Sequence, residues 1–256
     1  MKQTFLLFLI SISILSCTNN EDLSAATSAN PTFTFSHNWD NETVTNDDFN
    51  TIQYTTQNGD ILSIERLRYV ISDITFTTTA GENLMLGEYN LVDLTNTNGL
   101  SYTTINRVPI GTYANVSFTF GFDNEDNAKN YLDLNSESFN VPDMLGGGYH
   151  YMQFDGKYLD NNATEQGFNY HAIRAVDNPG ANPTFPQDTY FTVNLGQITI
   201  TNNVEIEVKA NLAEWFRNPH VWDLNVLNQT LMPNSSAQIM MFDNGQTVFS
   251  LGDVIQ

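Results

Sequence analysis

The sequence predicts an all-β protein, a two-sheet antiparallel β-sandwich with one or two short helices. From Phe33 onward, apolar residues alternate with polar ones through much of the chain, and Gly, Asn, Asp and Pro separate the alternating segments. A period of two places alternate side chains on one face of a strand, and frequent turns indicate many short strands. Strands that have one apolar and one polar face bury the apolar face by packing two sheets together.

The N-terminus has the pattern of an export signal. Met1-Lys2 is followed by an apolar run over 5–15 and then by Ser16-Cys17, where Cys17 is the only cysteine of the chain. This order resembles a bacterial lipoprotein precursor, in which the cysteine becomes the mature N-terminus and carries lipid. The apolar run is too short for a membrane-spanning helix of about 20 residues. We therefore expect a signal peptide over 1–16 and lipid attachment at Cys17, the alternative being a plain signal peptide with an incidental cysteine.

A polar segment follows this cysteine. Residues 17–31 are rich in Asn, Ser, Ala and Thr and lack hydrophobic periodicity, which predicts a flexible tether to a folded domain over 32–256. Residues 19–22 (NNED) resemble the acidic start of surface-exported lipoproteins of Bacteroidetes. The expected location is therefore the outer membrane, with the protein anchored by lipid and facing the periplasm or the cell surface.

Charge and cysteine usage exclude two kinds of site. The chain carries 29 acidic and 9 basic residues, a formal net charge of -20, so it repels phosphate backbones and nucleic acid is not an expected partner. Lipid attachment at Cys17 would leave no free thiol in the mature protein. A metal would then depend on imidazole, thioether and oxygen ligands.

The individual elements follow from local patterns. The alternation is clearest over 204–210, where the apolar residues share one face and the charged residues the other. Helical segments are expected at 125–132, behind a cap at Asp123 or Asn124, and at 212–216. The segments that predict strands are 67–76, 116–120, 191–195, 204–210 and 239–242.

Motifs of the common enzyme classes are missing. The sequence contains no GxSxG, GxGxxG, HExxH or GxxxxGK[ST]. The acidic stretch from Asp123 does not fit an EF-hand loop, because Ala128 stands where glycine is required and Leu134 where a glutamate binds calcium. The carboxylates show no spacing that selects a glycosidase pair.

Histidine is the residue type most indicative of a site, since the chain has only His37, His150, His171 and His220. His150 lies in 148–156 (GYHYMQFDG), and a strand there would put it on one face with Met152 and Phe154. An imidazole beside a thioether suits copper more than magnesium or calcium. Pairing of this strand with 168–173 as a hairpin would bring His150 and His171 to one metal ion.

Two alternatives remain open for these residues. Both histidines can be partly buried rings bonded to a backbone carbonyl or a carboxylate, and Met152 can be an ordinary core residue.

An ordered set of segments resembles the copper-binding MbnP-like proteins, which are periplasmic or surface proteins associated with copper handling and, in some members, with methanobactin uptake. The segments occur at about the spacing of the family and cover most of the mature chain. They are 33–37 (FTFSH), 67–74 (LRYVISDI), 90–93 (NLVD), 109–113 (PIGTY), 118–123 (FTFGFD) and 148–156 (GYHYMQFDG), followed by His171.

The resemblance implies a β-sandwich that binds copper through histidines. By position, the implied ligands are His37, His150 and His171, with His220 as a weaker candidate. Each would bind as a neutral imidazole whose other nitrogen is hydrogen-bonded to a carboxylate or carbonyl. The candidates for such partners are Asp73 and Asp123, each of which can also cap a turn.

Some family members resemble copper proteins in which a di-haem peroxidase-like partner oxidises a site tryptophan to kynurenine. Residues 143–147 (DMLGG) of this chain depart from the tryptophan-rich stretch of many members. Trp39, Trp215 and Trp222 are therefore expected in the core. His220 is expected to cap the short helix before it.

These observations predict a lipid-anchored extracytoplasmic copper-binding protein for copper acquisition, storage or delivery, without enzymatic turnover, although redox activity at an open copper position is an alternative. The expected partners are the copper ion, the membrane through the N-terminal lipid, and a di-haem peroxidase-like protein or an outer-membrane receptor. The alternative function is a surface β-sandwich lipoprotein that binds glycan or peptide through exposed aromatics such as Tyr149, Tyr151 and Tyr158, with structural histidines.

Overall fold

The computed structural model describes residues 27–256. The predicted signal peptide, the lipid attachment at Cys17 and residues 17–26 of the predicted tether lie outside the described residues. The last part of that tether is not a linker: Ser28 and Ala29 pair with Pro109 and Val108, and Ala29 is buried. Within residues 27–256, no helix is long and apolar enough to cross a membrane.

Strands make up most of the regular structure over the described range. Two α-helices are present there, α1 (Leu132–Ser136) and α2 (Ser235–Gly245), together with 3₁₀ turns at Asn46–Asp48, Asp126–Ala128, Asp143–Leu145 and Leu212–Phe216. The strands are β1 (Ser28–Ala29), β2 (Thr32–Trp39), β3 (Glu42–Thr43), β4 (Tyr54–Thr55), β5 (Ile61–Leu62), β6 (Arg66–Thr78), β7 (Asn83–Met85), β8 (Tyr89–Asp93), β9 (Ser101–Thr103), β10 (Val108–Pro109), β11 (Gly111–Phe120), β12 (Met152–Leu159), β13 (Glu165–Ala172), β14 (Phe191–Ile200), β15 (Glu205–Asn211) and β16 (Phe249–Ile255).

The strands form two principal sheets. The large sheet has nine strands in the order β14-β11-β6-β12-β5-β4, with β13 paired to β12, and β7 and β8 paired to β6. The second sheet has five strands in the order β16-β15-β2-β3, with β9 paired to β2, and a separate ribbon joins β1 to β10. The pairing is antiparallel except between β2 and β15, which are parallel. The predicted all-β sandwich is confirmed.

Aromatic side chains fill the space between the sheets. Phe33 of β2 contacts Phe76 of β6 at a ring-centroid distance of 6.4 Å, and Phe35 contacts Tyr69 at the same distance. In β15 the buried residues alternate with the exposed or half-buried ones as the sequence predicted. The period-two patterns therefore direct one face of each sheet into a common core.

One predicted strand is wrong. Residues 239–242 belong to α2, which begins where the Asn234 side chain accepts the backbone N–H of Ala237. A short apolar run fits a strand or a buried helix equally well, and here the cap and the burial of Ala237 and Met241 favour the helix. The helical segment predicted at 212–216 is present as a short 3₁₀ helix.

The helix predicted over 125–132 is replaced by two short pieces. The first is the turn at 126–128. Its N-cap position is Glu125, while Asp123, one of the expected cap residues, accepts the backbone N–H of Asp126 through Oδ1 at 2.7 Å. Helix α1 begins only at Leu132.

The hairpin of β12 and β13 positions the polar residues of the candidate site. In its register Gln153 faces His171 and Asp155 faces Asn169. On the core side of β12, Phe154 packs against Phe168 and Phe216. Because side chains alternate across a strand, Gln153, Asp155 and His171 lie on the opposite face of the large sheet.

The hairpin requires glycine at position 156. We expect Gly156→Ala to lower the free energy of unfolding by about 1–3 kcal/mol, the usual cost of overpacking. Its Cβ would lie 2.0 Å from the Ser63 carbonyl oxygen, and backbone cannot move aside as a flexible side chain can. Gly167→Ala on the facing strand is the matched control, since its Cβ would meet nothing closer than 3.6 Å. Chemical denaturation measures both variants, and equal losses would contradict the prediction.

Candidate metal centre

His150 lies immediately before β12 with one ring nitrogen unpartnered. Its backbone N–H and its ring Nδ1 both lie 2.9 Å from the Phe139 carbonyl oxygen. A carbonyl only accepts hydrogen bonds, so Nδ1 carries the proton and Nε2 keeps its lone pair. Nε2 is buried and has no hydrogen-bond partner within residues 27–256. Buried polar atoms rarely lack a partner, so this nitrogen is a suitable ligand for a metal ion.

The surroundings keep this ring neutral. Burial lowers the pKa of His150 to about 4, and the nearby positive groups Arg66 and Arg68 act in the same direction. At neutral pH the ring is therefore an unprotonated imidazole, the form that binds metals.

His171 of β13 lies beside His150. The two ring centroids are 5.2 Å apart and the ring planes are nearly perpendicular, at 85°. The His171 Nε2–H donates to Asp155 Oδ1 at 2.7 Å, which leaves the lone pair on Nδ1. Two imidazole nitrogens that each lie about 2 Å from one ion are at most about 4 Å apart, a spacing that these ring positions allow.

Asp155 orients His171 from the same face of the sheet. Its Oδ1 also accepts Asn169 Nδ2 at 2.6 Å, and its other oxygen is paired with Arg66. Burial raises the pKa of Asp155, but the hydrogen bonds from His171 and Asn169 and the charge of Arg66 outweigh it, so the net shift is downward. An ionised carboxylate behind a metal-binding imidazole fixes its tautomer and raises its basicity.

This partner differs from the ones that the sequence suggested. Asp123 caps a turn, and Asp73 accepts a hydrogen bond from Ser72 at 3.3 Å, so neither is bonded to a histidine. Asp155 can be identified once the hairpin register is known. Gln153 faces His171, and Asp155 lies two positions further along the same strand, so it is on the same face.

A short segment, residues 137–139, packs against His150 and supplies the carbonyl that orients it. Arg68 Nη2 donates to the Glu137 carbonyl at 2.8 Å, and Gln153 Nε2 donates to the Ser138 carbonyl at 3.3 Å. The next residue, Phe139, is fully buried, with its ring centroid 5.7 Å from that of His150. The backbone carbonyls of residues 137–139 are therefore all hydrogen-bonded, two of them by side chains of the large sheet and the third by His150.

The expected third ligand, His37, is not placed beside the pair. His37 lies in the second sheet and points into the core, where its Nε2 is 3.2 Å from the Tyr69 hydroxyl. Over residues 27–256, no group of three or more His, Cys, Asp or Glu side chains is arranged to hold a metal ion. The reason is the alternation of β2, which turns His37 to the core together with Phe35 and Trp39.

The other candidate ligands have structural contacts. His220 does not cap the turn at 212–216. It lies at the end of α2, where Nε2 donates to Asp243 Oδ2 at 2.7 Å and the backbone N–H donates to Asn244 Oδ1 at 2.9 Å. Met152 is fully buried in the main core.

The three tryptophans and the three tyrosines considered as surface contacts are all buried. Trp39, Trp215 and Trp222 lie in the core, as expected. Tyr149, Tyr151 and Tyr158 are also buried, with relative exposures of 3%, 0% and 3%, so the expectation that they are exposed is wrong. The glycan- or peptide-binding alternative thereby loses the feature that suggested it.

The chain is thus a β-sandwich protein whose large sheet carries a histidine pair backed by a carboxylate and a carbonyl. The family model described as MbnP matches residues 28–241, so the chain belongs to the MbnP family, and this membership indicates a copper-related protein. A solved structure with a similar fold is MbnP from Methylosinus trichosporium, at 12% sequence identity and a TM-score of 0.53, covering 89% of this chain and 99% of that one. No curated protein sequence matches the chain.

The burial of His37 predicts a pH-dependent contribution to stability. Burial lowers the pKa of His37 to about 4 from the ordinary value of 6.5. Above pH 6.5 the ring is neutral in both folded and unfolded chains. As the pH falls from 6.5 to 4 the unfolded chain takes up the proton first, so stability decreases, by about 3 kcal/mol at most at 1.4 kcal/mol per pKa unit.

The variant His37→Asn, which has no titrating ring, isolates this contribution. We expect the difference in free energy of unfolding between wild type and this variant to decrease as the pH falls through that window. Chemical denaturation at a series of pH values measures it. Subtracting the two curves cancels the groups that both proteins share, including His150 and Asp73. A difference that stays constant from pH 7 to pH 4 would contradict the assignment.

Proposed function

We propose that this chain is a copper-binding protein in which His150 and His171 hold one copper ion. The observation that carries the proposal is the buried His150 Nε2 without a partner, 5.2 Å by ring centroids from a second imidazole that a carboxylate orients. Membership of the MbnP family supports copper as the metal. Imidazole is also a ligand that suits copper.

The residues around the pair have separate roles in this proposal. His150 binds through Nε2 because its Nδ1–H donates to the Phe139 carbonyl, which leaves the lone pair on Nε2. His171 binds through Nδ1 because Asp155 holds its Nε2–H. An ion with two protein ligands keeps positions open for a ligand from solvent or from another protein. Such a site favours acquisition, storage or delivery of copper, and we propose no enzymatic turnover.

The proposed cellular setting comes from the N-terminal sequence. We propose that lipid on Cys17 anchors the protein to the outer membrane, facing the periplasm or the cell surface. Its partners would be the copper ion, the membrane through the lipid, and a di-haem peroxidase-like protein or an outer-membrane receptor. Mass analysis of the N-terminus of the protein from an untreated bacterial host that expresses the chain tests the anchor. A mature protein that still contains residues before Cys17 would contradict it.

Replacing either histidine of the pair should abolish stoichiometric copper binding. We expect His150→Ala and His171→Ala each to lose the single bound copper that the wild type retains after gel filtration, because one imidazole cannot hold the ion alone. Elemental analysis of the eluted protein gives the metal content. His37→Asn should bind as the wild type does.

His220→Ala is the matched control for these variants. The Nε2 of His220 is also hydrogen-bonded to a carboxylate, Asp243 Oδ2, at 2.7 Å. This ring lies next to α2 and has no second histidine beside it. Copper binding should therefore be unchanged. Wild-type copper content in both His150→Ala and His171→Ala would overturn the proposed ligand pair.

Asp155→Asn should weaken copper binding without removing a ligand. Substitutions of residues that support a metal ligand typically cost 10–100-fold in affinity, and we expect a loss of that order. Competition with a copper chelator measures the affinity. Asp243→Asn, which changes the corresponding partner of His220, is the control and should leave the affinity as in the wild type. Equal affinities in Asp155→Asn and the wild type would contradict the orienting role of Asp155.

A further inference from the structure

A polar pocket of about 370 Å³ is lined in part by residues that are close in sequence to the histidine pair. We call it the asparagine pocket; it is lined by Lys129, Arg174 and five asparagines, namely Asn124, Asn127, Asn130, Asn135 and Asn140. Both chain segments of the pair continue into it. Gly148 and Tyr149, which precede His150, line the pocket, and so does Arg174, which follows His171 by three residues.

Two of the asparagines present N–H groups in this pocket. Asn127 Oδ1 accepts the backbone N–H of Tyr149 at 2.9 Å, and Asn130 Oδ1 accepts Asn135 Nδ2 at 2.7 Å. The oxygens of both amides are therefore occupied inside the protein. Their NH₂ groups make no hydrogen bond to any residue in the range 27–256, so they remain available as donors to a ligand.

Arg174 adds a fixed positive charge. Its guanidinium stacks on the Phe185 ring at 3.7 Å from the centroid, and Gly146 permits this, because a Cβ there would lie 2.5 Å from that ring. The Arg174 Nε is buried and has no hydrogen-bond partner in the described part of the chain. Its nearest carboxylate is the partly exposed Asp188, at 3.9 Å. The guanidinium is thus positioned by packing. Its Nε is closed to a ligand, whereas its terminal nitrogens make no hydrogen bond within residues 27–256 and are the donors that a ligand can reach.

The second cation at the pocket is Lys129, which is paired with Asp126. Two of the nine basic residues of a chain with net charge -20 therefore line one small cavity, each beside one carboxylate, Asp126 or Asp188. The protein as a whole repels anions, so an anion would bind only where local cations and donors are concentrated.

We propose that the asparagine pocket binds the carboxylate group of a small organic acid. A carboxylate only accepts hydrogen bonds, which matches the amide N–H groups of Asn127 and Asn130 and the terminal nitrogens of the Arg174 guanidinium. Bonds from a guanidinium to a carboxylate are among the stronger hydrogen bonds in proteins. The volume is also in the range of small-molecule sites. This proposal does not depend on copper binding.

Isothermal titration calorimetry on the purified, metal-free protein tests it, with malonate and citrate as probes. We expect saturable binding of at least one of them with one site per chain. Arg174→Gln should weaken that binding by at least about tenfold, as expected for the loss of one charge-assisted hydrogen bond. Arg174→Lys should be intermediate, because it keeps the charge and loses the planar pair of terminal nitrogens that binds a carboxylate.

Arg107→Gln is the matched control. Arg107 is bonded to Ser28 and Asn30 at the β1–β10 ribbon and is not part of the pocket, so the variant should bind the acid as the wild type does. This comparison separates loss of the site from a general change of charge.

A second variant tests the pocket independently, in case Arg174→Gln does not fold. Asn127→Asp keeps an oxygen for the Tyr149 N–H and replaces the NH₂ donor with negative charge, so it should abolish binding while the thermal unfolding midpoint stays near that of the wild type. The proposal is overturned if neither acid binds saturably, if Asn127→Asp binds as tightly as the wild type, or if phosphate or glucose binds more tightly than both acids. Copper content is measured on separate samples, so failure of the metal pair and failure of the pocket are distinguishable.

Discussion

The register of the β12–β13 hairpin is the constraint on which the candidate centre depends. It sets Gln153 opposite His171 and Asp155 opposite Asn169, so that a carboxylate, an amide and an imidazole share one face. A slip of one residue would move every side chain of β13 to the other face. His171 would then enter the core, and Tyr170 would leave its buried contacts with Trp215 and Trp222. The hydrophobic core therefore fixes the position of the polar site.

The position of His150, in the segment before the hairpin, does not follow from strand alternation. His150 precedes β12, and its orientation follows from two contacts with the Phe139 carbonyl. Simple alternation would have placed it with Met152 and Phe154, yet it lies against His171, on the face opposite the Phe154 contacts. Three consecutive glycines with positive φ, Gly146–Gly148, lead the chain into this position, which residues with a Cβ adopt only at a cost.

The same contrast separates His37 from the pair. The pattern of β2 alone assigns His37 to a buried face, together with Phe33 and Phe35. The pattern does not show which sheet packs against that face. It also does not show which side of the large sheet carries His171. Resemblance to a family placed His37 among the copper ligands, whereas the packing of the two sheets places its ring against Tyr69.

Much of the fold was predictable because it depends on local periodicity. The strands at 67–76, 116–120, 191–195 and 204–210 and the closeness of His150 and His171 followed from alternation and from one short hairpin loop. Residues 239–242 were not predictable in this way, since four apolar residues carry no distinguishing period. Asp155 was missed for another reason: a partner across a hairpin is evident only when the register is known.

The β-sandwich class, the family and the pairing of His150 with His171 could be predicted from residue order, since they depend on local patterns and short-range pairing. The orientation of each imidazole depends on the packing of distant segments. The Phe139 carbonyl and the Asp155 carboxylate reach the rings through sheet pairing and loop packing, which no local pattern encodes. The separation of His37 from the pair also depends on the tertiary structure. Alternation assigns a residue to a face of its strand, but only the packing of the two sheets sets what that face contacts.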